Sequence, residues 1–322
     1  MALLVSICLP TFNRADLLQQ VVKCALAQTW RAFELIVVDN ASTDDTPERA
    51  ARWMAQDARL RYQRNVQNLG MVGNWNRALE LAQGDFVTLW HDDDVYYPEL
   101  LQFEVEALQR APDAGFAYAA CDLIDSTGQR LGRHRPFVGD HVWPAEKEFS
   151  HLIFNCYPAA PLLRRECLRD GLRFNPQLVY AADWEFLLRL ATRWGGAYLD
   201  RSLAAYRFHT ARTTATLSQN RVPLGLDQCA AFDSVFAQPV PFKSIARYRQ
   251  IAYAELAQRL LIDFMRAVRR REETLACSWL KQALFVIFRR VGPRFVSYSI
   301  RDAVRFSRRR QQSNASIFET TP

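Results

Sequence analysis

The chain lacks most of the signatures that would assign it to a class at a glance. Its seven cysteines (Cys8, Cys24, Cys121, Cys156, Cys167, Cys229 and Cys277) are odd in number and scattered, with no CxxC pair. That excludes a disulfide framework and a cysteine zinc site, and leaves reduced thiols filling the core of a cytosolic protein. There are 5 histidines, and His134, His141 and His151 are too isolated for a zinc site. No apolar run approaches the ~20 residues that a spanning helix needs. The opening run Ala2 to Leu9 has no basic residue before it and leads straight into Pro10-Thr11-Phe12-Asn13-Arg14; a first strand is expected there, not a signal peptide. Neither GxGxxG nor GxxxxGKS/T occurs, so no dinucleotide fingerprint and no Walker loop is present.

What the chain does have is an ample core and an uneven charge. Of its 322 residues, 49% are hydrophobic and 23% charged, which suits one large or two smaller globular domains. The net charge of +7 hides an asymmetry: from Val240 onward 17 Lys and Arg face 6 Asp and Glu, a net of +11, so the rest carries −4. A mildly acidic front and a strongly basic back predict two functional regions.

In the front region strands and helices alternate. Leu3 to Leu9 and Phe33 to Val38 are nearly continuous apolar runs, as strands covered on both faces would be. Helical rhythm follows at Asp16 to Gln28, Thr46 to Gln56 and Val72 to Gln83, with a short strand at Leu60 to Arg64. A fourth strand, Asp85 to Trp90, is entered through Gly84. This spacing predicts right-handed βαβ crossovers, an α/β fold and a mainly parallel sheet flanked by helices. Beyond a helix from Pro98 to Arg110, Gly115 to Ala120 reads as a strand and Asp122 to Pro144 as a mobile loop or β excursion. Glu146 to Asn155 and Leu162 to Arg169 read as short helices, and Tyr198-Leu199 and Leu203 to His209 as short strands.

The fourth strand delivers His91-Asp92-Asp93-Asp94. Three adjacent carboxylates on a tight loop repel one another unless a cation or solvent compensates them. The loop lies at the carboxyl end of a buried strand, where open α/β sheets bind ligands. A divalent metal holding a phosphorylated ligand is one reading; a solvated acidic turn or helix cap is the other. Asp39 ends the second strand, on the same sheet edge, where a nucleoside held by its phosphates would meet it.

Taken in order, Pro10-Thr11-Phe12-Asn13-Arg14, Glu34 to Thr46, Asn68 to Trp90, His91 to Glu99, Ala181-Ala182-Asp183-Trp184-Glu185 and Tyr206-Arg207-Phe208-His209 resemble the family 2 inverting glycosyltransferases of the GT-A fold. The likeness runs from about Leu4 to Thr214. It implies a GT-A domain over residues 1–215 and a basic, mostly helical region over 216–322. It further implies that Thr11, Asp39 and Asp92 contact the nucleotide of the donor, with Asn13 and Arg207 nearby. Asp93 and His209 would attend Mn²⁺ or Mg²⁺, with Asp94 just behind, and Asp183 would be the catalytic base. Two positions depart from the pattern: His91 stands where many members have Asp, and Ala182 replaces an acid that often precedes the base. The chemistry asks for these residue types independently. A cation offsets charge on a diphosphate leaving group, and a carboxylate accepts the proton of the acceptor hydroxyl. The expected substrates are a nucleoside diphosphate sugar, a UDP-sugar first, and a glycan or lipid-linked acceptor. The alternatives are a silent nucleotide-sugar-binding scaffold and a nucleotidyltransferase.

After Val240 the chain reads as helices over Ser244 to Arg271, Glu272 to Arg289 and Arg294 to Arg310, with a disordered tail from Gln311. Apolar bulk mixed with arginine around Ala283 to Val296 suits an anionic membrane surface at the inner face of the plasma membrane. Packing on the core or on a second copy in a homo-oligomer suits it equally. Nucleic acid is not expected as a partner, since the aromatics lie among aliphatics and form no platform.

Overall fold

The structure is a computed structural model that describes residues 3–154, 159–208 and 224–291. The chain packs as two compact units: Met1–Glu148, Tyr157–Pro176 and Arg193–Phe208 form the first, and Phe149–Cys156, Gln177–Thr192 and His209–Pro322 the second.

The first unit is built on one mixed sheet. Strands β1 (Val5–Thr11), β2 (Phe33–Asp39), β3 (Leu60–Arg64) and β4 (Phe86–Leu89) lie in the order β3-β2-β1-β4, all parallel, as the alternation of strands and helices predicts. The connecting helices are α1 (Ala15–Leu26), α2 (Thr46–Gln56) and α3 (Gly70–Leu81). Alternation along β1 explains the layers: Val5, Ile7 and Leu9 join the core cluster with Leu18, Val21 and Val22 of α1, whereas the Cys8 thiol donates to the Ala78 carbonyl of α3. Both faces are covered, so the strands carry continuous apolar runs.

Past β4 the sheet turns mixed. After β5 (Val95–Tyr96) and α4 (Leu100–Arg110) come β6 (Ala114–Ile124), β7 (Arg130–His134) and β8 (His141–Trp143), then α5 (Ala145–Ile153), β9 (Ala159–Arg164) and β10 (Gly195–Arg207). Strand β9 runs antiparallel between β4 and β6, and β10 lies parallel to β6. The helix expected over Leu162 to Arg169 is therefore corrected to this strand and a 3₁₀ turn at Arg165–Leu168. Leu162 and Leu163 fill the slot between β4 and β6, and that tertiary demand outweighs local rhythm. The two short strands expected near 198 and 203 are one strand, β10, broken in register around Ser202. The Asp122 to Pro144 segment is a β excursion: β7 pairs with β6 and β8 with β10.

In the second unit α6 (Ala182–Ala191) packs with α7 (Leu224–Phe236), α8 (Ile245–Arg269) and α9 (Glu273–Val286), which runs on into a π-helical turn at Ile287–Val291. Trp184, Phe232 and Tyr253 form its aromatic centre, with ring centroids 4.8 and 5.6 Å apart along that chain. Two of the three helices expected after Val240 are present; Arg294 to Arg310 and the tail from Gln311 lie outside the described residues. No helix among the described residues is long and apolar enough to cross a membrane.

Two buried carboxyls set a pH dependence. Glu104, on the inner face of α4, has no hydrogen-bond partner for either oxygen among the described residues, and burial pushes it well above the usual carboxylate range. Burial also pushes Glu148 up to about 7, with the Tyr118 hydroxyl pulling the other way. A raised carboxyl binds its proton more tightly folded than unfolded, so stability is full below pH ~4 and falls as pH rises toward the folded value. The expected outcome is that Glu148→Gln gains on the wild type by about 1 kcal/mol or more between pH 4.5 and pH 8 in urea unfolding. No relative gain across that interval contradicts the buried-carboxyl account.

Candidate active site

The parallel register assembles the site. Thr11 lies opposite Asp39, and Asp39 opposite Arg64, so three residues stand level at the carboxyl ends of adjacent strands. The chain leaves β1 through Asn13, whose φ of 53° is in the left-handed region that asparagine tolerates better than most residues. The Asn13 amide donates to Ser42 Oγ at 2.9 Å, and its side-chain oxygen accepts from Thr43 N at 2.7 Å. The β1 and β2 loops are thereby tied together.

Asp39 is fully buried. It accepts from Ser42 N at 2.8 Å and from the Tyr62 hydroxyl at 2.5 Å, with Arg64 Nε 3.7 Å away. Behind it sits a polar cluster: Asn65 Nδ2 donates to Asn40 Oδ1 and Asn74 Oδ1, and Asn74 Nδ2 to the Val38 carbonyl. Each amide satisfies another, which makes the buried polar set affordable and rigid.

The aspartate loop is held from several sides. Asp92 has one oxygen on Thr11 Oγ1 (2.7 Å) and the other on Arg14 Nη1 (2.9 Å). The same guanidinium nitrogen lies 3.0 Å from Asp93 Oδ2. Burial raises Asp92 above the usual carboxylate range, while the Arg14 charge pulls it down and the neighbouring Asp93 pushes it up. Asp94 Oδ1 accepts from the Arg207 amide at 2.9 Å. The Arg207 guanidinium is buried and donates to the Asp93 carbonyl at 2.8 Å, so its visible contribution is the shape of the loop. His91, Asp93 and Asp94 each bring one ligand atom within 4.8 Å of the other two. One imidazole and two carboxylates are a donor set that fits a divalent cation.

Six of the residues expected at the site (Thr11, Asn13, Asp39, Asp92, Asp93 and Asp94) thus gather on one edge of the first unit, with Arg207 behind them. Asp183 opens α6 in the second unit, and its Oδ1 accepts from Trp184 N at 2.7 Å. The turn before it is fixed by Asp227, whose carboxylate accepts from the amides of Val179, Tyr180 and Ala181 at 2.7 to 3.1 Å. His209 lies outside the described residues.

The sequence profile described as Glycosyl transferase family 2 matches residues 6–170, half of the chain. The chain belongs to glycosyl transferase family 2. It is 37% identical over 236 residues to a Campylobacter jejuni protein named GalNAc(5)-diNAcBac-PP-undecaprenol beta-1,3-glucosyltransferase, covering 70% of this glycosyltransferase and 69% of that one. The chain spans 36% of the length of two longer relatives. Among solved structures, Staphylococcus aureus TarS 1-349 in complex with UDP-GlcNAc superposes with a TM-score of 0.69 at 18% identity, over 90% of this chain and 83% of that one. The Pyrobaculum calidifontis mannosyltransferase PcManGT in complex with GDP-Man and Mn²⁺ gives 0.59 at 18% identity, over 88% and 87%. At these identities the structures establish the GT-A fold. The silent-scaffold and nucleotidyltransferase alternatives give way to a glycosyltransferase.

Sequence reasoning missed the glycosyltransferase's Arg14, Tyr62 and asparagine cluster. Arg14 had a readable signal, a cation at the end of the first strand facing an acidic loop on the same edge. Tyr62 and Asn65 gave none, since tyrosine and asparagine are ordinary in and after a short strand.

Arg14 is the cation on which the buried Asp92 depends. Removing one partner of such a pair costs about 3 kcal/mol. Arg14→Met is expected to lose that much in urea unfolding at pH 8, and less at pH 5, where protonation of Asp92 relieves the uncompensated charge. Equal losses at both pH values contradict the assignment.

Proposed function

We propose that this glycosyltransferase moves a hexosyl group from a nucleoside diphosphate sugar, a UDP-sugar first, to a hydroxyl of a lipid-linked or cell-surface glycan, with inversion at the anomeric carbon. The observation that carries the reading is the shared carboxyl edge, where Thr11, Asp39 and the His91–Asp94 loop converge. Ligands of parallel α/β sheets bind at that edge. The solved relatives named for UDP-GlcNAc and GDP-Man support a nucleotide-sugar donor, and the Campylobacter relative's name supports a polyprenyl-linked acceptor.

In this reading Thr11 and Asp39 hold the nucleoside, Asn13 fixes the two loops that border it, and Asp92 keeps Thr11 and Arg14 in place. Asp93 and Asp94, with His209 from outside the described residues, are assigned to Mn²⁺ or Mg²⁺. When bound, the cation supplies positive charge against the diphosphate. Asp183 accepts the proton of the acceptor hydroxyl as that oxygen bonds to the anomeric carbon. The bond from this carbon to the diphosphate oxygen breaks, and the nucleoside diphosphate departs with the electron pair. One displacement with one base inverts the configuration.

Leu284, Phe285 and Phe288 are exposed beside Lys281 and Arg289. Apolar side chains edged by cations suit the anionic surface on which a lipid-linked acceptor would sit, at the cytoplasmic face of the membrane.

The test combines stereochemistry with the base. Transfer or slow hydrolysis of a UDP-sugar, followed by proton NMR, is expected to give the inverted anomer first. Asp183→Asn is expected to lower the rate by roughly 10²–10⁴-fold while nucleotide binding stays unchanged. A retained anomer, or full turnover by Asp183→Asn, contradicts the mechanism.

A further inference from the structure

The donor-site reading assigns the cation to Asp93, Asp94 and His209 and leaves His91, at the head of the loop, without a role. The geometry gives it one. We propose that His91 is a direct nitrogen ligand of the divalent cation, so that the site is an imidazole–carboxylate site that favours Mn²⁺ and its transition-metal neighbours over Mg²⁺. The inference rests on the donor-site reading and adds a ligand and an ion preference to it.

Three observations carry it. The first is convergence: His91, Asp93 and Asp94 offer ligand atoms mutually within 4.8 Å, and His91 Nδ1 lies 4.0 Å from Asp94 Oδ2. Two ligands of one ion, each about 2.1 Å from it, are at most about 4.2 Å apart, so only a small adjustment separates these side chains from a shared cation.

The second is that His91 is held in place. Its ring stacks on Trp75, with centroids 5.6 Å apart and planes 17° from parallel, and Trp75 meets Phe174 edge-on at 5.1 Å. Phe174 is clamped by Asn76 in both directions, its amide donating to Asn76 Oδ1 and its carbonyl accepting from Asn76 Nδ2. The His91 backbone is fixed too, since its amide donates to the Tyr96 hydroxyl at 2.7 Å. One ring face is covered while the side chain keeps 38% exposure.

The third is that Asp92, between His91 and Asp93, is already committed. Thr11 Oγ1 and Arg14 occupy its two oxygens. Residue 91 therefore takes the place in the donor set that Asp92 leaves.

The consequence for ion choice follows from ligand chemistry. Mg²⁺ requires near-ideal octahedral oxygen coordination and sheds water reluctantly. Imidazole suits the first-row transition ions, and their affinity for mixed nitrogen–oxygen sites rises from Mn²⁺ toward Cu²⁺. An Asp at the loop head would replace that nitrogen with oxygen and weaken the preference.

Mn²⁺ alone is the probe. Continuous-wave electron paramagnetic resonance counts bound ion, and electron spin-echo modulation reports ¹⁴N directly coordinated to it. The wild type is expected to bind Mn²⁺ and show imidazole ¹⁴N modulation that converts to ¹⁵N when the chain is made with ¹⁵N-histidine, a readout that needs no variant. In a His209→Asn background the ¹⁴N modulation is expected to persist, and adding His91→Asn is expected to abolish it and to weaken Mn²⁺ binding at least roughly tenfold, which separates His91 from His209. In His91→Asp, Mg²⁺ is expected to displace Mn²⁺ at a concentration at least roughly tenfold lower than in the wild type. Mn²⁺ bound in a way that Asp93→Asn abolishes, but with no nitrogen modulation, overturns the role of His91 and leaves the donor-site reading standing. Modulation that His209→Asn alone removes does the same. No Mn²⁺ binding by the wild type overturns both.

Discussion

The site depends on one buried carboxylate. Asp92 sits at the end of β4 with Thr11 on one oxygen and Arg14 on the other, and those two residues come from the end of β1 and the loop after it. This pairing stitches the loops of two adjacent parallel strands into one surface. Because Asp92 is buried, its charge is tolerable only while both partners stay. Arg14 extends the same compensation to Asp93. Three successive aspartates would otherwise repel each other in a region with little water to screen them. Here one is neutralised by Arg14, one shares that arginine, and the third accepts from the Arg207 amide.

A division of labour within the loop follows. Asp92 is held by Thr11 and Arg14, while His91, Asp93 and Asp94 offer ligand atoms within 4.8 Å of one another. A second rigid layer lies beneath: the Asn40–Asn65–Asn74 cluster holds the ends of β1, β2 and β3 and the start of α3. Catalysis by preorganised charge needs such a support, since donors that must reorient on binding lose much of their worth. The helix that carries Asp183 in its first turn has an equivalent support within its own unit, because Asp227 accepts from three amides ahead of that helix.

Much of this could be read from residues. The apolar runs of β1 and β2 announce strands buried on both faces, and an alternating strand–helix order leaves little choice but a parallel sheet with its loops on one edge. Asp39 and Asp92–Asp94 stood out because acidic residues after such strands have few other reasons to cluster. What was hidden depends on distant partners. Arg14 meets Asp92 across 78 residues of chain, and no local pattern marks that contact. Strand β9 was hidden in the same way: Leu162 and Leu163 are followed by arginines as they would be in a helix, and only the slot between β4 and β6 makes them a strand.

The carboxyl edge is proposed to bind a nucleoside diphosphate together with a divalent cation. Calorimetric titration with UDP, GDP, dTDP and CDP, each in Mn²⁺ and in chelator, tests it most directly. One nucleotide is expected to bind in Mn²⁺ and at least roughly tenfold more weakly in chelator, and Asp39→Ala is expected to abolish the difference between nucleotides; a tenfold change is about 1.4 kcal/mol and well within reach of the method. Binding of none of the four in either condition, or equal binding with and without the metal, would contradict it.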